Sequence, residues 1–150
     1  MTDADLSPAD GLAQLVFRVH GMLEHRANEH GISIVQLRML GLLRDRIPLM
    51  SELGARLGLD KSSISGLVQR AETRGLVERF PSPDDGRAVL VRLTDAGREL
   101  AARGEAEFGD DVRNLLAHLP PAERHVLARL VSKLLVSDAA ASGVELFPRE

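Results

Sequence analysis

Asp60-Lys-Ser-Ser-Ile-Ser-Gly-Leu-Val-Gln-Arg-Ala-Glu-Thr-Arg-Gly75 is the stretch whose reading decides the fold. Asp60 is an N-cap residue, able to satisfy the free N–H groups of a helix start. Gly75 suits the left-handed backbone that ends a helix. Between them Ile64, Leu67, Val68 and Ala71 recur at helical spacing and form one apolar face. Ser62, Ser65, Gly66, Gln69 and Thr73 lie on the opposite face. Upstream, Ser51 to Leu57 reads as a short helix ended by Gly58, so the two helices make a helix-turn-helix candidate joined through Gly58-Leu59. Downstream the texture changes. Leu76-Val-Glu-Arg-Phe80 and Ala88-Val-Leu-Val-Arg-Leu93 are β-branched and alternating, and the turn-rich Pro81-Ser-Pro-Asp-Asp-Gly-Arg87 separates them as the tip of a hairpin. Helix, turn, helix, hairpin is the order of a winged helix-turn-helix.

Ser7-Pro8-Ala9-Asp10 opens a first helix with a Ser cap and Pro at the first helical position. Leu12, Leu15, Val16, Val19, Met22 and Leu23 stripe it, and it should run to about His30 before Gly31. Ser33-Ile-Val-Gln36 is a capping box opening a second helix, whose Leu37, Leu40, Leu42 and Leu43 lead to Arg46. Pro48 restricts Ile47-Pro48-Leu49 to an extended link. After the hairpin, Thr94 caps a long helix carrying Leu100, Phe108, Val112, Leu115 and Leu116. Pro120-Pro121 breaks the chain, and a last helix carries Val126, Leu127, Leu130, Val131, Leu134 and Leu135. The run from Ser137 to Gly143 reads as the start of a loose tail. The expectation is one domain over residues 1–150, mainly α with a small β-hairpin wing: a winged core at about 33–94, dimerisation helices at about 7–30 and 94–136, and a flexible tail at 137–150. The end helices carry more apolar surface than the core can bury, which calls for a partner copy.

Composition narrows the function. The chain has no cysteine, which excludes disulfides, thiolate metal sites, cysteine nucleophiles and thiol redox sensing. Trp and Tyr are absent too, so stacking on single-stranded nucleic acid is poorly served. The formal charge is −3, unevenly spread: residues 1–31 and 104–150 each carry −3, and residues 61–92 carry +2. The middle is where a polyanion would dock. No run approaches the ~20 apolar residues of a membrane span. The acidic Met1-Thr-Asp-Ala-Asp-Leu6 lacks a signal-peptide pattern, so a cytoplasmic protein is expected.

Small hydroxyls and a Gln suit a major groove, where they approach base edges without clash. Ser62, Ser63, Ser65 and Gln69 are therefore candidate base-facing residues, with Lys61 and Arg70 at phosphates. A plain amphipathic surface helix has the same pattern. Arg87 at the hairpin tip suits a narrow minor groove, where negative potential is focused. It could equally be an arginine paired to Asp84 or Asp85 on a solvated hairpin.

The run from Asp60 to Arg70, then Arg74-Gly-Leu-Val-Glu-Arg79, Asp84-Asp-Gly-Arg87 and Leu93-Thr-Asp-Ala-Gly97, resembles the MarR family of regulators. The wing pattern Asp-x-Arg followed by Leu-Thr-x-x-Gly carries most of the resemblance, which extends from the first helix to Leu135 and includes Leu119-Pro-Pro-Ala-Glu-Arg124. It implies a homodimeric, ligand-responsive repressor that binds a pseudo-palindromic double-stranded operator and is relieved by a small anionic or phenolic ligand. Arg87 is implied in the minor groove, Asp84 and Asp85 in ordering the wing, and Arg79 at its DNA-facing base. Gly66 and Phe80 depart from the pattern, standing where many members carry basic residues. A ligand pocket between the dimer helices and the core is implied, where Arg18, Arg38 or His20 could meet an anion.

Two other readings have less support. His20, His25, His30, His118 and His125 offer only isolated i,i+4 pairings with a glutamate, such as His20 with Glu24, so neither a metal nor another cofactor is expected, and a metal-sensing regulator stays an alternative. No nucleophile elbow or phosphate loop suggests an enzyme. A winged helix can also be a protein-interaction module, but that role favours large apolar residues on the exposed face of the Asp60–Arg74 helix, where this chain has Ser62, Ser65 and Gln69.

Overall fold

The computed structural model describes residues 6–143. In chain order it comprises α1 (Pro8–Glu29), α2 (Ile34–Leu43), α3 (Met50–Leu57), α4 (Lys61–Thr73), β1 (Val77–Pro81), β2 (Val89–Leu93), α5 (Asp95–Leu116) and α6 (Pro121–Ser142). Local chemistry sets most boundaries. Ser7 Oγ accepts the Asp10 N–H at 3.1 Å to start α1. Ser33 and Gln36 exchange reciprocal bonds of 3.1 and 3.0 Å at the start of α2. Glu52 Oε2 accepts the Leu49 N–H at 2.9 Å ahead of α3. Gly58 has a φ of 68°, the left-handed conformation that turns the chain from α3 toward α4.

Helix α2 stops at Leu43, short of the expected Arg46. The tertiary fold ends it: the Pro48 carbonyl accepts the Val91 N–H at 3.1 Å, and Leu49 bridges Leu90 antiparallel. The chain before Pro48 must therefore be extended to reach the hairpin. The link is in effect a one-bridge third strand beside β2, which pairs with β1 from Val77↔Leu93 to Pro81↔Val89.

The core belongs to the winged unit. Met39, Leu40, Leu53, Val68, Val77 and Val91, contributed by α2, α3, α4 and the hairpin, are the largest fully buried side chains. Leu100 and Ala101 of α5 join them. The ends differ. Helix α1 buries only Met22 and Ala27, and α6 buries nothing. Leu12, Val16 and Phe17 are exposed on α1, as are Leu130, Leu134 and Val136 on α6. Helix α6 also continues through Ser142, where a loose tail was expected to begin at residue 137. Alanines 139–141 are strong helix formers, and the Ser142 hydroxyl donates back to the Asp138 carbonyl at 2.7 Å. The rest of that expected tail, 144–150, lies outside the described residues.

Where β2 passes into α5, Thr94 donates its N–H to the Leu76 carbonyl at 3.1 Å and its hydroxyl to the Gly75 carbonyl at 2.5 Å. Thr94 Oγ1 accepts the Gly97 N–H at 3.0 Å, capping α5. Gly97 is pressed so close to β1 that a Cβ there would lie 1.9 Å from the Leu76 oxygen. Since the obstacle is backbone, Gly97→Ala should destabilise the protein by about 1–3 kcal/mol or more in urea unfolding. Gly86→Ala, where a Cβ meets nothing within 4 Å, is the matched control and should be nearly neutral.

Candidate nucleic-acid interface

Helix α3, the first turns of α4 and the hairpin enclose an open groove of about 910 Å³. Its apolar floor includes Leu49, Ile64, Phe80 and Val89, and Lys61, Ser65, Arg79 and Arg87 stand along it. Three cations and no carboxylate line it. The fold thus brings the start of α4 and the wing to one concave, positive face, as the spread of charge along the chain suggested.

At the start of α4, Asp60 Oδ1 accepts the Ser63 N–H at 2.8 Å and the Ser62 hydroxyl at 3.0 Å. The Ser63 backbone N–H foremost, and then the serine side chains, hold the Asp60 carboxyl below its usual range. Ser62 is thereby turned to its own cap. Lys61, Ser63, Ser65, Gln69 and Arg70 are all exposed. Arg70 folds back along its helix, with Nη1 only 3.3 Å from where a Cβ on Gly66 would sit. The cation absent at position 66 is replaced in space by Arg70, one turn later.

Arg79, expected at the DNA-facing base of the wing, is turned toward α4. It lies opposite Val91, on the core-facing side of the hairpin. Its Nε and Nη2 donate to Glu72 Oε2 at 3.1 and 2.6 Å, and its backbone N–H donates to Glu72 Oε1 at 3.2 Å. Arg79 Nη2 also donates to Gln69 Oε1 at 2.7 Å. Hydrogen bonds from Arg79 hold the Glu72 carboxyl below its ordinary range. Phe80, the other departure at the wing base, carries Arg92 4.5 Å above its ring, and Arg92 Nε donates to Glu78 at 2.5 Å. Register alone puts Arg92 opposite Glu78, so Arg92 could not be singled out from the sequence.

At the wing tip, Asp85 Oδ1 accepts the Arg87 backbone N–H at 3.0 Å, and the Asp85 carbonyl accepts the Ala88 N–H at 2.9 Å. Asp85 therefore shapes the turn without touching the Arg87 guanidinium, which is exposed and has no polar partner among the described residues. The part played by Asp84 is smaller: its N–H lies 3.4 Å from Ser82 Oγ, and no bond of its carboxylate is seen among the described residues. Sequence reasoning missed Arg74, whose guanidinium donates to the carbonyls of Gly31 at 2.5 Å and His30 at 3.2 Å. An arginine at a helix C-terminus was the available signal.

A second, smaller pocket of about 400 Å³ lies between α1 and α5, lined by Arg18, His25, Arg26, Asp111, Asn114 and His118 among others. Arg26 grips Asp111 through two bonds of 2.8 and 2.7 Å, which depresses the Asp111 carboxyl. Of the three residues suggested for an anion, Arg18 lines this pocket, whereas Arg38 and His20 line neither pocket. His30 Nε2 meets Glu107 at 2.6 Å, and His20 and His25 face Glu24 and Glu29. No group of three or more potential ligands for a metal occurs among the described residues. No helix among them is long and apolar enough to cross a membrane.

A helix-turn-helix and a hairpin sharing a positive groove define a DNA-binding winged helix-turn-helix protein. Residues 30–88 match the model of the MarR family, and the chain is 30% identical over 127 residues to the transcriptional repressor NicR of Pseudomonas putida, covering 80% of this chain and 77% of that protein. It belongs to the MarR family of transcriptional regulators. It is 32% identical over 106 residues to the regulator YdgJ of Bacillus subtilis, a match spanning 69% of this chain and 64% of YdgJ. The crystal structure of wild-type, apo MarR from Escherichia coli superimposes with a TM-score of 0.73 at 27% identity, over 87% of this chain and 98% of that one.

The Glu72–Arg79 pair makes an acid-side prediction. A carboxyl whose pKa is depressed by folding adds stability that is present above its unfolded value, 4.5 here, and lost as pH falls through the lower folded value. Glu72→Gln should therefore be less stable than the parent at pH 7 and differ less from it as pH drops below 4.5, as read by chemical denaturation across pH.

Proposed function

We propose that two copies of this chain form a cytoplasmic homodimer that represses transcription from a pseudo-palindromic operator and releases it on binding a small anionic or phenolic ligand. The observation that carries this reading is the groove shared by α4 and the wing, lined by Lys61, Arg79 and Arg87 with no acidic residue. In it α4 enters the major groove: Ser63, Ser65 and Gln69 face base edges, Ser62 supports the helix start through Asp60, and Lys61 and Arg70 hold phosphates. The unpartnered Arg87, on a tip shaped by Asp85 and to a lesser degree Asp84, enters the minor groove. Arg79 braces α4 against the wing.

The dimer rests on the exposed apolar faces of α1 and α6, since a helix with no buried residue is not held by its own chain. Pairing these ends sets two copies of α4 about one DNA turn apart, roughly 34 Å. Repression is suggested by NicR, a repressor by its description. The pocket between α1 and α5, with Arg18, His25 and His118, is the candidate for an anion.

Fluorescence anisotropy on a selected operator tests the DNA contacts. Arg87→Ala should weaken specific and random DNA alike and lower the salt slope by about one unit, because one fewer counterion is released. Lys61→Ala should act the same way but less strongly. Normal binding by Arg87→Ala at physiological salt would make the wing a purely structural hairpin. For the dimer, joint Leu130→Asp and Leu134→Asp substitution should give a monomer by sedimentation and abolish operator binding. A dimer that survives both changes places the interface elsewhere.

A further inference from the structure

Gln69 is held by one end only. Arg79 Nη2 donates to Gln69 Oε1 at 2.7 Å. A guanidinium has no acceptor, so flipping the amide would set N–H against N–H, and the carbonyl must be the end that faces Arg79. Arg79 is itself immobilised by Glu72, which accepts from its Nε, its Nη2 and its backbone N–H. Glu72, Arg79 and Gln69 thus form a chain running from α4 to β1 and back to α4. The group left over at the exposed end of Gln69 is the amide nitrogen with its two N–H donors.

A glutamine reads adenine with both ends in one plane: Oε1 accepts from N6 while Nε2 donates to N7. Here one lone pair of Oε1 is already taken by Arg79, and an adenine amino group approaching the other would lie beside the positive guanidinium and its N–H donors. Guanine offers two adjacent acceptors, N7 and O6, and thymine offers O4. A donor-only amide matches those edges, finds only a donor on cytosine, and on adenine can bond N7 but meets the N6 amino group as a second donor, so adenine is disfavoured by one mismatched position.

We propose that Arg79 is a specificity-determining positioning residue: by holding the Gln69 carbonyl it makes Gln69 a donor-only reader that disfavours adenine and selects an acceptor-only base edge, guanine before thymine. This deepens the proposed operator binding and rests on it.

Selection of sites from a random duplex library by the full-length protein tests it. Gln69→Ala, a substitution at an exposed position, identifies the base pair read by Gln69 as the one whose preference it alone erases. Wild type should select guanine or thymine there, guanine exceeding adenine by about tenfold, and 7-deazaguanine at that position should cost about tenfold in affinity. Arg79→Met frees the carbonyl while keeping the aliphatic stem, and it should bring adenine to within about threefold of guanine. A merely structural role for Arg79 would lower affinity for all sequences equally and leave the guanine-to-adenine ratio unchanged; Arg92→Met, which removes a wing arginine bonded to Glu78 and not to Gln69, should keep the guanine preference. Adenine or cytosine selected by wild type overturns the proposal, as does an unchanged base ratio in folded Arg79→Met. If Arg79→Met fails to fold, the wild-type base choice and the 7-deazaguanine result decide alone. A wild type that enriches no duplex overturns the operator-binding reading itself, and this inference with it.

Discussion

The backbone carbonyl of Leu76 is the point on which the geometry turns. It accepts the Thr94 N–H and leaves room for only a hydrogen atom on Gly97. The neighbouring Gly75 carbonyl takes the Thr94 hydroxyl. In this small volume the end of α4, the start of β1, the end of β2 and the start of α5 are fastened together. The direction in which α5 leaves the winged core follows from that approach, so the wing and a long end helix are aligned by backbone contacts rather than by flexible side chains. The Leu93-Thr-Asp-Ala-Gly97 motif is therefore a structural latch, although its value for the family resemblance came from sequence alone.

A second set of contacts ties the candidate DNA-reading helix to α1. Arg74, at the end of α4, donates to two carbonyls where α1 ends, and His30 beside it meets Glu107 of α5. Carbonyls at a helix C-terminus lack intrahelical partners, so a cation there is favoured twice, by hydrogen bonds and by the helix dipole. The winged core and the end helices are in this way joined by polar contacts around the C-terminus of α1.

The arginines of the wing region divide by partner. Arg74, Arg79 and Arg92 are engaged with carbonyls, Glu72 and Glu78, whereas Lys61 and Arg87 have no ion-pair partner among the described residues. Surface ion pairs contribute little to stability, so the pairing matters more for where charge remains available than for how strongly the fold holds. Positive charge left unneutralised at the rims of the groove is what a phosphate backbone would meet.

Much of the fold was legible because its signals are local. The Ser7, Ser33, Asp60 and Thr94 caps, the Gly58 and Gly75 turns, and the change from helical to alternating period between Thr73 and Val77 each act within a few residues. So did the apolar face of α4, whose Ile64, Leu67, Val68 and Ala71 are all buried. What the tertiary structure alone decided depends on groups distant in sequence or on register. Helix α2 ends early because residues 48 and 49 must meet β2. Arg79 turns to Glu72 rather than outward because strand parity sets it on the core side, and Arg92 comes to lie on Phe80 for the same reason. Gly97 must be glycine because of a carbonyl twenty-one positions earlier in the chain, at Leu76. Caps, turns and apolar periods belong to one segment of chain, so a sequence can specify them alone; the direction of a charged side chain is settled only when a second segment supplies its partner.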